Sequence, residues 1–136
     1  MGFSDEPSSR EIESVIKLSP EARLEYLIKR VFDRDGVWAI RGPSGWLMMG
    51  GGTVEKALPV WPAAAFAKRH LGLKLESGGL AVVKIGFDHL LDVLLERLSE
   101  GGVKVAIFPV ESSRTAILEP LEFRDRVRQY VSEWYG

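Results

Sequence analysis

His70 and His89 are the only histidines in the chain; they stand 19 residues apart and neither sits in a paired metal-ligand spacing. His89 lies three positions before Asp92, and Asp88, Asp92 and Glu96 repeat at i, i+4, i+8. On a helix such a row could bind a divalent cation or supply an acid–base pair. Its place opposite an arc of leucines reads instead as a solvated face, where the carboxylates repel only slightly. Arg124 and Arg128 also stand at i, i+4, with Arg126 between them and Arg114 upstream. A basic strip can meet phosphate or an acidic partner, but Glu122, Asp125 and Glu133 are interleaved with it, which reads as a salt-bridged surface. His89, Asp92, Arg124 and Arg128 therefore make up the polar candidate site, the one an enzyme or small-molecule binder would use near the ends of a sheet.

Other chemistries find less support. Gly50-Gly51-Gly52 leads into a strand and no Lys-Ser/Thr pair follows, whereas a phosphate loop delivers its anion to a helix N-terminus. Ser44, in Gly42-Pro43-Ser44-Gly45, lacks the G-x-S-x-G elbow and joins two strands rather than a strand and a helix. Cysteine is absent, which removes disulfides, thiolate zinc sites and thiol nucleophiles together. No metal, no cofactor and no catalytic constellation is expected.

The tryptophans and prolines form the more unusual pattern. Trp38, Trp46 and Trp61 precede or flank Leu58-Pro59-Val60-Trp61-Pro62. Indole combines a large apolar area with one N–H donor, which suits a core edge and a partner pocket equally. The expectation is a non-catalytic domain that binds another protein, with Trp46, Trp61 and Pro62 as apolar anchors.

The 136 residues suit one domain, and 46% apolar with 27% charged side chains is the balance of a globular protein. Residues 1–70 carry 10 basic and 9 acidic side chains, and residues 71–136 carry 8 and 10. Neither half has the positive excess that gathers a phosphate backbone, so nucleic acid is not an expected partner. No apolar run is long enough to span a membrane, and Met1 to Pro7 is neither basic nor apolar, so a cytoplasmic location is expected. Gly2 is not expected to carry a myristoyl group, since Glu6 stands where that motif wants Ser or Thr.

The elements that must position these groups follow from capping and periodicity. Residues 1–17 read as a mobile arm with a short leading helix around Ile12, Val15 and Ile16, and residues 18–136 as a single domain. Ser19-Pro20 opens a helix in which Leu24, Leu27, Ile28 and Val31 share a face. Val37–Arg41, Trp46–Met49 and Ala57–Val60 read as strands of an antiparallel meander, and Ala63 to His70 as a helix. After the Gly72–Gly79 loop, Leu80–Ile85 reads as a central strand covered on both faces. Asp88–Ser99 is an amphipathic helix ended by Gly101-Gly102, followed by strands Val103–Phe108 and Thr115–Leu118 and a helix from Pro120 to Trp134. The order α-β-β-β-α-β-α-β-β-α predicts an α+β fold: a mixed, largely antiparallel six-stranded sheet with helices packed on it.

Ser19-Pro20-Glu21-Ala22-Arg23-Leu24, Val37-Trp38, Gly45-Trp46, Leu58-Pro59-Val60-Trp61-Pro62, Phe87-Leu90-Leu91 and Val105-Ala106-Ile107-Phe108-Pro109 together resemble a small bacterial family, the domain-of-unknown-function family twenty-seven fifty. The likeness runs from about Leu18 to Val131, and the Leu-Pro-x-Trp-Pro segment is its most specific part. It departs from the family's pattern at Gly50-Gly51-Gly52 and Leu71-Gly72-Leu73. The resemblance implies a small α/β protein and no assigned activity. The element order is also similar to the enhanced-serine-sensitivity family and to small toxin-neutralising immunity proteins, an analogy of fold alone.

Overall fold

At Ser19 the side-chain hydroxyl accepts the N–H of Ala22 at 3.1 Å, and Pro20 occupies the first position of the helix that follows. The cap satisfies one orphan donor and the proline removes another. In the computed structural model this helix spans Pro20–Asp33. A shorter helix, Ser9–Val15, precedes it and is capped in the same way, the hydroxyl of Ser8 accepting from Glu11. The structure describes residues 6–51, 54–72, 78–111 and 113–135. The readings made above for Met1 to Asp5, Gly52, Leu73 and the middle of the Gly72–Gly79 loop lie outside the described residues.

The remaining elements are β1 (Gly36–Gly42), β2 (Gly45–Trp46), β3 (Met49–Gly51), β4 (Val54–Val60), β5 (Ala81–Gly86), β6 (Lys104–Ile107) and β7 (Ala116–Leu118). The helices are α1 and α2, just described, then α3 (Ala64–Leu71), α4 and α5 (Pro120–Tyr135). Helix α4 is continuous from Phe87–His89 through a π-helical turn at Leu90–Leu94 into Leu95–Glu100. The fold is α+β.

Among the described residues the strands form two sheets, β2-β1-β5 and β3-β4-β6-β7, rather than the six-stranded sheet expected. The segment read as one returning strand, Trp46–Met49, explains the difference. Its first part pairs with β1 (Arg41 opposite Trp46), and its last residue begins β3, which pairs with β4 (Met49 opposite Ala57). The chain thus crosses from one sheet to the other at Leu47 and Met48, and the meander is split. At the opposite end β1 and β4 come together. Trp38 and Trp61 exchange backbone hydrogen bonds of 2.8 Å in both directions, an antiparallel bridge that joins the two sheets.

Two further expectations change. β5 lies at the end of the order β2-β1-β5, with Ala81 and Lys84 exposed, and is not a central strand. β4 and β6 run parallel, Leu58 opposite Val105 and Val60 opposite Ile107, because α3, β5 and α4 intervene as a crossover. Helices α2 and α5 pack on β6 and on each other, and α3 packs on β1 and β5. The core they enclose includes Leu27, Val31, Val37, Ile40, Leu58, Trp61, Leu95, Ile107, Phe108 and Phe123.

Candidate functional site

The carboxyl ends of the parallel pair β4 and β6 are where the chain spends its most specific residues. β4 runs into Trp61-Pro62 and β6 into Phe108-Pro109. Trp61 is only 1% exposed, and its indole N–H donates to the carbonyl of Pro109 at 3.0 Å. Pro62 is buried as well. These two sequence-predicted anchors therefore belong to the core and have no surface to present to a partner. The spacing of the tryptophans could not distinguish the outcomes, because indole serves either. Trp46 is half-buried on β2, with the Arg41 guanidinium 4.9 Å from its ring centre, and Trp38 carries the Lys84 ammonium at 5.3 Å.

Phe108 takes a left-handed backbone conformation, with φ of 50°, which a residue with a bulky side chain seldom adopts. It is held there by named bonds. Its N–H donates to the carbonyl of Val60 at 2.9 Å, and its carbonyl accepts from Nε of Arg23 at 3.0 Å. Arg23 is wholly buried and ends in carbonyls: Nη1 donates to Leu18 at 2.7 Å and Nη2 to Arg114. Burial pulls its pKa below the usual arginine value. Sequence reasoning placed Arg23 on a helix and gave it no role; nothing in residue type or spacing marks an arginine that faces inward.

Arg23 and Trp61 hold the carbonyls of Phe108 and Pro109, which with Val110 and Glu111 line a cleft of about 360 Å³. Helix α3 contributes Phe66, Arg69 and His70 to the lining, and Ile16 adds an apolar side chain. The packing behind the cleft is aromatic: Phe66 lies 4.7 Å from Phe108 and His70 lies 5.5 Å from Trp61, centre to centre. Tyr26 packs against both phenylalanines, at 6.2 and 6.1 Å. Its hydroxyl donates to Glu11, and burial together with this bond pushes its pKa up to about 12. Arg69 pairs with Glu13 at 3.0 Å, and Glu111, also exposed, lines the same cleft.

The polar candidates His89, Asp92, Arg124 and Arg128 do not line this cleft. Asp92 and Arg128 pair with each other at 3.7 Å, and one turn along, Glu96 pairs with Arg124 at 2.7 Å. The acidic row of α4 and the basic row of α5 thus meet as a ladder between two packed helices. His89 is exposed on α4 and is not part of that ladder. Among the described residues no group of three His, Asp or Glu could hold a metal ion, and no helix is long and apolar enough to cross a membrane.

A second concentration of aromatic rings escaped the sequence reading. Trp134 is 69% exposed, Tyr135 51% and Phe32 37%. Phe32 lies 4.6 Å from Tyr135 and 5.4 Å from Phe87, and Tyr130 lies 6.1 Å from Trp134 and 6.3 Å from Tyr135. The ends of α2 and α5 and the start of α4 thus build a continuous aromatic surface. The Tyr135 hydroxyl donates to Asp33 at 2.6 Å, which orients that ring and raises its pKa to about 12. Tyr130 still packs against the core, whereas Trp134, one turn further along α5, stands in solvent.

A family model described as a protein of unknown function (DUF2750) matches residues 24–127. No curated protein and no solved structure matches the chain.

Proposed function

Since the chain belongs to the DUF2750 family, whose description gives no activity, we propose from its surface that it is a non-catalytic module that binds another protein. The contact is the aromatic surface formed by Phe32, Phe87, Tyr130, Trp134 and Tyr135. The observation that carries this reading is the exposure of Trp134, 69% on a helix whose Phe123 and Val127 are fully buried. Large rings left in water cost hydrophobic free energy, and contiguous ones mark interaction sites more often than scattered ones do. Tryptophan and tyrosine also dominate the residues that carry binding energy in interfaces. The non-catalytic part rests on the ion pairs of α4 and α5, which engage Asp92 with Arg128 and Arg124 with Glu96.

The test is affinity capture from cells that make the protein, followed by titration of the recovered partner. Trp134→Ala is expected to weaken that partner at least about tenfold, with the melting temperature unchanged. Trp46→Ala separates this surface from the one read in the sequence: loss of binding through Trp46 alone would move the interface to β2. Wild-type affinity in Trp134→Ala and Tyr135→Ala chains refutes the aromatic surface as the contact.

A further inference from the structure

The cleft at the carboxyl ends of β4 and β6 is distinct from the aromatic surface, and its chemistry is specific enough to name a ligand. We propose that it binds a free amino acid with an apolar side chain. The carboxylate would meet Arg69, the ammonium would meet Glu111, and the side chain would lie against the partly exposed Ile16 and Val110.

Four observations lead there. The cleft sits just beyond the ends of parallel strands, where open sheets leave a crevice for small molecules. Its volume of about 360 Å³ is near the lower end for ligand pockets, roughly 300–1,000 Å³. Its outer wall is already ordered by Arg23 and Trp61, so binding would not have to pay for arranging it. Its lining carries charges of opposite sign, Arg69 from α3 and Glu111 from the chain after β6. An apolar acid would leave Glu111 facing it without a counter-charge, and an apolar amine would meet Arg69 with the same sign. A zwitterion answers both.

Arg69 is not spent by its contact with Glu13. That pair uses Nη2, both side chains are about half exposed, and a guanidinium offers five N–H donors in a planar fork. An exposed pair of this kind is weak, so an incoming carboxylate can share or displace it. Glu13 thereby becomes a competitor for the ligand.

Calorimetric titration of the full chain with L-phenylalanine, hydrocinnamate (which lacks the ammonium) and phenethylamine (which lacks the carboxylate) tests the assignment. L-phenylalanine is expected to bind at least about tenfold more tightly than either analogue. Arg69→Gln should bring it to the level of phenethylamine, and Glu111→Gln to that of hydrocinnamate. Glu13→Gln should tighten it by about threefold, an effect that a merely structural role for the pair would not produce. Ile16→Trp, which fills the cleft from its partly exposed side, should abolish binding while the chain keeps a cooperative melt. Three results would overturn the proposal: no heat with L-phenylalanine at millimolar concentration, an analogue that equals it, or rim variants that keep the wild-type order.

Discussion

Nε of Arg23 lies 3.0 Å from the carbonyl oxygen of Phe108, across 85 positions of sequence. The bond ties α2 to the strained residue that follows β6. The same guanidinium also satisfies the carbonyls of Leu18 and Arg114, so one buried cation gathers three separate stretches of backbone. Charge-assisted bonds of this kind are stronger than neutral ones, and removing their donor strands buried acceptors.

Arg23→Met is therefore expected to destabilise the fold by about 3 kcal/mol, even though methionine fits the volume and the helix. Urea unfolding checks this through the midpoint. A loss below about 1 kcal/mol would mean that the three carbonyls find water without cost. Arg23→Lys should recover only part of the loss, because an ammonium cannot reproduce the planar fork.

Gly36 gives the sharpest single-atom prediction. Its φ is +136°, and a Cβ there would stand 2.0 Å from the carbonyl oxygen of Ile85, within the β1–β5 ladder. Gly36→Ala should cost about 3 kcal/mol or more, or prevent folding. Gly86, its partner across the ladder, has open space at the same point. Gly86→Ala is expected to stay within about 0.5 kcal/mol, and equal effects at the two positions would contradict the geometry.

The ladder between α4 and α5 has one strong and one weak rung. Arg124 and Glu96 meet at 2.7 Å with the arginine mostly buried, whereas Arg128 and Asp92 meet at 3.7 Å in the open. Double-mutant cycles should give a coupling of about 1 kcal/mol for the first pair and under about 0.3 for the second. Added salt should erase the second sooner. A reversed order would show that exposure does not set their strength.

Tyr26 ties stability to alkaline pH. Its folded pKa is raised from 10.0 to about 12, by burial first and by the bond to Glu11 second. The folded chain therefore keeps the phenol protonated after the unfolded chain has released it. The stabilisation is complete below pH 10, and it is lost as pH rises toward 12. Tyr135 titrates over the same window through its bond to Asp33. Unfolding measured across this range should decline more steeply for wild type than for Tyr26→Phe. Coincident curves for wild type, Tyr26→Phe and Tyr135→Phe would show that neither phenol is coupled to folding.

Much of the secondary structure was legible because its causes are local. Ser19-Pro20 starts α2, the leucine arc buries α4, and Gly101-Gly102 ends that helix, each within a few residues of the chain. The α+β class followed from the order of these elements. The site was not legible in the same way. Trp46, Trp61 and Trp134 are one residue type, and their surroundings make the first half-buried, the second core and the third surface.

By itself, then, the order of residues determined the helices, the apolar faces they turn inward, the absence of thiol chemistry and the family. Tertiary structure alone decided that β4 and β6 lie parallel, that Trp61 and Arg23 hold the wall of a cleft, and that α5 carries Trp134 beyond the core. The physical reason is range. Caps and helical periods act between residues three or four apart, whereas the bonds that shape the cleft span 48 to 91 positions. Such bonds exist only after the core has closed around them.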